Sequence, residues 1–462
     1  MTNPSHNSPG AASAGTASST FAIDPRRAHF IKKYSSTLVA FGEFIDGYDT
    51  TVIGVALVFL TPYFNLSSAS QGGLVAVSFI GTAVGLLVFG DVADRIGRKK
   101  VFAFNLWVFI VSALLASIIN SVWMLWAVRF LIGIAIGMDL PTSAAFLAEV
   151  SPKARRGRIA GSLPNLTWVG GAIVSILLAL ALEPISGNST WRWMFAFAAI
   201  PSALVLLARH FLPESPRWLM ANGREEEARA VFKALDLDEE SLVVKKEKKP
   251  AREYRKLLHG KNLRRMLTVT AFFVLNTTAG PIVTFMGPTV LAETGISVEQ
   301  NLYISLGSNI IALIALLIGA MIIDRVNRRT LGLVAAAVLT GAALCVGLFG
   351  GQSTTILIIG FVIWSFTTQL GPAVLAWVWS VEAYPTELRG FGSGITQSCA
   401  RMFSALTAAI IPGLVHSYGM IAIAPFSAVY LLMFLVVLAN PWLASTGKSL
   451  EETTSVAELA AE

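Results

Sequence analysis

Few charged side chains fall inside long apolar runs, and six of them have types and positions that suit proton exchange and anion binding. Residues 41–54 read FGEFIDGYDTTVIG and carry Glu43, Asp46 and Asp49 at i, i+3 and i+6, which brings neighbours together on a helix. A second run carries Arg129 and Asp139, and a late one carries Arg401 in SCARMFSA. A charge at a bilayer centre costs about 2.5–3.5 kcal/mol on insertion scales, so each needs a partner or a task. Desolvation disfavours the charged form of a carboxyl group and a nearby guanidinium favours it. A carboxylate whose arginine moves can therefore load and release a proton. Asp49 with Arg129 is the candidate pair; a static salt bridge between two helices is the alternative. Asp46 stands close enough to share that proton, or is wetted at an outer vestibule. Glu43 lies nearer the start of its run and is expected at the interface. Asp139 sits in GMDLPTSAAF, where Pro141 frees a backbone carbonyl. Arg401 is the lone cation inside the apolar runs of the second half; its planar fork suits a carboxylate, unless it snorkels to water.

Helices must hold these groups. The chain has 462 residues, 54% hydrophobic and 14% charged, with a mean hydropathy of +0.65. Soluble domains carry roughly 25% charged residues, so a soluble enzyme, a secreted protein and a disordered scaffold are excluded. Apolar runs recur at about 37–60, 72–92, 101–119, 122–148, 159–182 and 192–212, then at 267–291, 301–323, 331–350, 354–381, 392–415 and 418–439. Each can cross a hydrocarbon core about 30 Å thick. The expected fold is an all-α membrane protein of 12 spans in two six-helix halves. The expected organisation is a disordered cytoplasmic tail over 1–34, a first bundle over 35–212, a cytoplasmic linker with short helices over 213–266, a second bundle over 267–440 and a tail over 441–462. The linker helices are expected in EEEARA and KKEKKPAREYRK. Cys345 and Cys399 both lie in apolar runs, so no disulfide framework is expected.

Lys and Arg cluster before span 1 and after spans 2, 4, 6, 8 and 10, while the alternate loops hold none. The positive-inside rule then puts both termini in the cytoplasm. The halves also repeat. Glu149-Val-Ser-Pro152-Lys-Ala-Arg-Arg156-Gly157 matches Glu382-Ala-Tyr-Pro385-Thr-Glu-Leu-Arg389-Gly390 at four of nine positions, offset 233. Asp94-Arg95-Ile-Gly-Arg98-Lys99 matches Asp324-Arg325-Val-Asn-Arg328-Arg329 at offset 230. Parallel repeats of six spans with a site between the halves describe one transporter architecture. Asp94, Arg95, Arg98, Glu149, Arg156, Asp324, Arg325, Glu382 and Arg389 are candidates for a cytoplasmic gate of ion pairs that breaks on opening; the alternative is a set of topology signals.

Gly90-x-x-x-Asp94-Arg95-x-Gly97-Arg98-Lys99-Lys100 resembles the loop signature of the major facilitator superfamily. Arg129-Phe-Leu-Ile-Gly133, Pro213-Glu214-Ser215-Pro216-Arg217-Trp218-Leu219 and residues 382–390 resemble its sugar-porter-like branch. Asp49 in Gly47-Tyr48-Asp49-Thr50 is similar to the span 1 motif of proton-coupled sugar porters, whose Asp carries the proton while the span 4 Arg, here Arg129, modulates it. The stretch around Asp139 resembles span 4 of phosphate and organic-metabolite symporters. Several organic-anion branches place an arginine in span 11, which matches Arg401. Sugar porters also carry paired span 7 glutamines and a span 5 Gly-Gln; here stand Asn276-Thr277-Thr278 and Gly170-Gly171.

These departures favour a small organic acid. The expected substrate residues are Arg401, Asn276, Trp377, Gln369, Trp168, Asn165 and Gln397, with two aromatics of Trp168, Phe285, Trp377 and Trp379 on the cavity. The expected function is proton-coupled uptake of that acid by alternating access, with proton coupling by Asp49, Arg129, Asp46 and Asp139. A sugar or polyol:proton symporter is the alternative, and a drug-efflux antiporter or a non-transporting nutrient sensor less favoured ones; sodium in place of the proton stays open. The five histidines lack ligand spacing and no phosphate-cradling loop appears, so neither enzyme chemistry, a metal nor a cofactor is expected, and the proton gradient is the driving force. The expected partners are the substrate, protons and the lipid bilayer, without nucleic acid, in a monomer of the plasma membrane (the inner membrane of a bacterium).

Overall fold

The computed structural model describes residues 23–150, 162–235, 259–284, 296–323, 325–384 and 389–444. The first half contains span 1 (Pro25–Phe64), span 2 (Ser68–Ile96), span 3 (Arg98–Ile118), span 4 (Val122–Val150), span 5 (Leu163–Ser186) and span 6 (Thr190–His210). The second contains span 7 (Gly260–Thr284), span 8 (Val298–Ile322), span 9 (Arg328–Phe349), span 10 (Thr354–Leu370 and Pro372–Glu382), span 11 (Arg389–Tyr418) and span 12 (Phe426–Leu438). Among the described residues nine stretches are long and apolar enough to cross a membrane; one of them, Leu163–His210, holds spans 5 and 6 together. Spans 7 and 12 complete the twelve. Large side chains such as Trp107, Leu207 and Met321 stay exposed on the outer face, where lipid replaces water as solvent.

Helix ends follow local chemistry. Span 1 starts on Pro25, whose missing N–H costs nothing at a first turn, and stops at Asn65 in the left-handed region, φ 51°. It extends well before the expected start at 37, because residues 25–36 form a helical shoulder. Ser67, Ser297 and Ser353 accept a backbone N–H at the starts of spans 2, 8 and 10. Span 10 is not the single helix expected over 354–381: Gly371 and Pro372 interrupt it. Span 7 starts at Gly260, inside the segment expected to be linker. Linker helices form at Pro216–Ala221 and Glu225–Leu235; KKEKKPAREYRK lies outside the described residues, as do the terminal segments 1–22 and 445–462.

Gly97 separates spans 2 and 3 at φ 100°, a conformation a side chain rarely takes. Behind it Glu214 accepts the backbone N–H of Arg98 at 3.0 Å and of Lys99 at 3.2 Å. A carboxylate at a helix N-terminus complements both the orphan donors and the dipole. The segment after span 6 is thereby fastened to the loop after span 2.

The two halves meet along span 2 against span 11 and span 5 against span 8. Far from the termini, span 2 touches span 11 backbone to backbone: a Cβ on Gly72 would lie 2.5 Å from the carbonyl oxygen of Ala408.

Candidate functional site

Span 1 carries Glu43, Asp46 and Asp49, and all three are buried. Asp49 Oδ1 pairs with Arg129 Nη1 of span 4 at 2.7 Å, and Arg129 Nε donates to Ser78 Oγ of span 2 at 3.0 Å. Side chains of Asp49 and Arg129 are 2% and 1% exposed, so the pair is shielded from water. Asp49 Oδ2 has no hydrogen-bond partner among the described residues. A buried ion pair with one open carboxylate oxygen is a place where a proton can be taken up. Two glycines allow span 1 to reach span 5 here. A Cβ on Gly47 would sit 1.9 Å from the Trp168 carbonyl oxygen, and one on Gly171 would sit 2.0 Å from that of Phe44.

Asp139 stands in a separate cluster. Arg209 of span 6 grips it with both terminal nitrogens, at 2.6 and 3.3 Å, while Asn105 of span 3 donates at 2.8 Å and Ser143 at 2.9 Å. The same guanidinium donates to the carbonyls of Leu38 at 3.2 Å and Val39 at 2.7 Å in span 1. Gly42 makes room: a Cβ there would fall 2.0 Å from Asp139 Oδ2. Spans 1, 3, 4 and 6 are thus tied through one arginine. Sequence reasoning counted Arg209 among the topology signals and missed Asn105; the available signal was that an intramembrane carboxylate requires a cation. Removing one member of a buried pair leaves an uncompensated charge and typically costs about 3–5 kcal/mol. We expect Arg209→Ala to lower stability by that order in detergent unfolding and Arg209→Ala/Asp139→Asn to regain part of it. A single variant as stable as the parent would remove the cluster from the fold's support.

Between the halves lies a cavity of about 970 Å³, counting the part open to solvent. It brings together all seven expected substrate residues: Asn165 and Trp168 (span 5), Asn276 (span 7), Gln369 and Trp377 (span 10), Gln397 and Arg401 (span 11). Sequence reasoning missed Phe79, Phe273 and Ser404, which line it too. Trp379 is not on it but buried edge-on against Phe272, with ring centroids 4.7 Å apart. Phe285 lies outside the described residues. The lining comes from the first turns of span 5, the middle of spans 1 and 11, the stretch just past the middle of span 7 and the second half of span 10.

Glu43, expected at the interface, is 7% exposed and lines the cavity. Asp46 is 5% exposed rather than wetted, and Thr50 Oγ1 donates to its Oδ1 at 2.7 Å. Arg401 is not a lone cation. Its Nη2 faces Asp46 Oδ2 at 3.6 Å across the boundary between the halves, and its guanidinium lies over Phe79, 5.7 Å from the ring centroid. Asp46 and Arg401 also border the small cavity of Asp49 and Arg129, so the cavity and the buried pair share a wall.

Most of the expected gate lies outside what the structure describes. Arg156 and Asp324 lie outside the described residues, as do the side chains of Asp94, Glu149, Glu382 and Arg389. Arg95 and Arg325 are exposed, and Arg98 meets Glu214 through its backbone N–H.

A family model described as "Sugar (and other) transporter" matches residues 35–457. The putative metabolite transport protein YaaU of Escherichia coli K12 is 30% identical over 381 residues, 82% of this chain and 84% of its own. The D-xylose transporter of Levilactobacillus brevis is 30% identical over 400 residues, 82% of this chain and 86% of its own. Among solved structures, the proton:xylose symporter XylE bound to 6-bromo-6-deoxy-D-glucose superposes with a TM-score of 0.76 at 20% identity, covering 94% of this chain and 100% of that one. The inward open conformation of XylE from E. coli gives the same TM-score, covering 91% and 99%. At that identity the likeness speaks for the fold: twelve spans in the major facilitator arrangement.

Proposed function

The chain belongs to the sugar (and other) transporter family, and from that premise we propose that it is a proton-coupled symporter of a neutral polyhydroxy compound, a sugar or polyol, working by alternating access. The observation that carries the substrate class is the charge balance of the cavity. Its one arginine is answered by a carboxylate of the chain itself, Asp46, with Glu43 beside it. Two unit charges 4 Å apart interact by about 4 kcal/mol at an effective dielectric near 20. An organic anion would meet two acidic side chains for one cation, so the small organic acid favoured by sequence reasoning loses its main support. That reasoning also held the missing span 7 glutamines against a sugar. Four amides on four different spans nevertheless converge: Asn165, Asn276, Gln369 and Gln397. Each amide both donates and accepts, as hydroxyl recognition requires, and Trp168 and Trp377 supply flat faces for a sugar ring. Several relatives carry the names of xylose, glucose and myo-inositol transporters, which points the same way.

In this reading Asp49 and Arg129 couple the proton, while Asp139 and Arg209 hold the first bundle as one body. Proton uptake on Asp49 Oδ2 weakens its hold on Arg129 and lets spans 1 and 4 shift as the halves rock about the substrate. The positive-inside pattern supports cytoplasmic termini in a plasma-membrane protein. The backbone approach of spans 2 and 11 at Gly72 and Ala408 supports closure on the side away from the termini.

The test is ligand-induced thermal stabilisation of the purified protein with D-xylose, D-glucose, myo-inositol, D-gluconate and 4-hydroxybenzoate. A ligand at a hundred times its Kd stabilises by about 2.7 kcal/mol, which a melting curve resolves. Stabilisation by at least one neutral compound, with none by the two carboxylates, is the expected result. Stabilisation by carboxylates alone restores the organic acid and discards the polyol.

A further inference from the structure

We propose that Asp46 sets the charge selectivity of the cavity: opposite Arg401 it cancels the guanidinium and forms with it a two-sided hydroxyl subsite that admits polyols and rejects carboxylates. This deepens the polyol reading and rests on it.

The geometry comes from both halves, since Asp46 is on span 1 and Arg401 on span 11. A charge-assisted N–H···O contact ordinarily closes to about 2.7–2.9 Å. Here the separation is 3.6 Å, so neither group is saturated by the other. Thr50 donates to Asp46 Oδ1 and the Trp168 indole stands beside the carboxylate, while Oδ2 is buried with no hydrogen bond of ordinary geometry. Arg401 makes no hydrogen bond with any described residue and is steadied instead by the face of Phe79. An acceptor and a fork of donors therefore face each other at the edge of the cavity. A vicinal diol matches them: one hydroxyl donates to Asp46 Oδ2 and its neighbour accepts from the guanidinium. Such a ligand closes a loose contact between the halves without displacing either residue.

A carboxylate fares differently. It can pair with Arg401 only by pushing Asp46 aside, and Asp46 would then stand buried and uncompensated next to Glu43. A buried charge that loses its partner is penalised heavily. Asp46 is accordingly a specificity-determining residue, and the arginine resembling an anion-binding one is held in check by its own chain.

The experiment measures equilibrium binding of D-glucose and D-gluconate, two ligands on one carbon skeleton, to the purified full-length protein at one fixed pH. In the parent, glucose binds and gluconate does not. In Asp46→Asn the ratio of gluconate to glucose affinity is expected to rise at least about tenfold, at the low end for a charge-assisted hydrogen bond. In Asp46→Asn/Arg401→Gln the gluconate gain is expected to vanish. An unchanged ratio in Asp46→Asn overturns the proposal while leaving the polyol reading intact. A parent that binds gluconate and no neutral compound overturns both. If Asp46→Asn does not fold, Arg401→Gln decides: weaker glucose binding without gluconate binding supports the subsite, and a gain in gluconate binding refutes it.

Discussion

Asp49→Asn protein in sealed vesicles is expected to exchange substrate across the membrane but to lose uphill accumulation entirely. In the proposed mechanism the parent draws on the proton gradient. A potential of 100 mV is worth about 2.3 kcal/mol per elementary charge, and at 1.4 kcal/mol per factor of ten this sustains a concentration ratio of about 50. Asparagine keeps the shape of the side chain and cannot carry the proton, so the ratio should fall to about one while counterflow persists. The structure supports this separation because Asp49 does not line the central cavity and borders only the small cavity that shares Asp46 and Arg401 with it. The substitution does leave Arg129, 1% exposed, without its carboxylate. Part of any loss in melting temperature should therefore return in Asp49→Asn/Arg129→Gln, which also stays uncoupled. Accumulation above the passive ratio in Asp49→Asn would move coupling elsewhere, with Asp46 and Glu43 as the next groups on the same helix.

The sequence made the architecture legible because membrane physics writes on composition. Twenty-residue apolar runs, alternating basic loops and the repeat at offsets near 230 each reflect one constraint of the bilayer or of duplication. Ends were less legible. Residues 25–36 are too polar to count as a span, yet they continue the helix of span 1. Span 10 breaks at Gly371-Pro372, a pair that could have been read as an interruption. In the site, the residues themselves were legible from the rarity of polar groups in apolar runs. What one helix cannot reveal is which helix faces it. Arg401 reads as an anion site in isolation and as a neutralised cation once Asp46 arrives from the other half. Asn165, Asn276, Gln369 and Gln397 read as isolated amides until four spans converge on one cavity. Arg209 reads as a topology signal until Asp139 is found in its grip.

Gly133→Leu is expected to yield no stable, monodisperse protein, and Gly133→Ala to lower stability by about 1–3 kcal/mol, the usual cost of overpacking. Span 2 carries Gly81 and Gly85, span 4 carries Gly133 and Gly137, and the two i, i+4 pairs interlock. A Cβ on Gly133 would lie 2.1 Å from the Ser78 carbonyl oxygen, and one on Gly137 would lie 2.3 Å from that of Thr82. From the other side, a Cβ on Gly81 would lie 2.3 Å from the Phe130 carbonyl oxygen and one on Gly85 2.5 Å from that of Ile134. Every obstacle is backbone, so no rotamer change relieves it and the helices must separate. Lipid offers no hydrophobic force to hold helices together, so close packing at small residues carries the association. Separation would also reach the coupling site, because Arg129 stands one turn from Gly133 and its Nε bonds Ser78 across the same seam at 3.0 Å. Gly133→Ala should therefore lower the accumulation ratio more than it lowers counterflow. Gly394→Ala is the control: nothing lies within 4 Å of its added Cβ, and in this helix alanine is favoured over glycine, so the melting temperature should not fall below the parent value. A Gly133→Leu protein that purifies and melts like the parent would show that spans 2 and 4 do not depend on this contact.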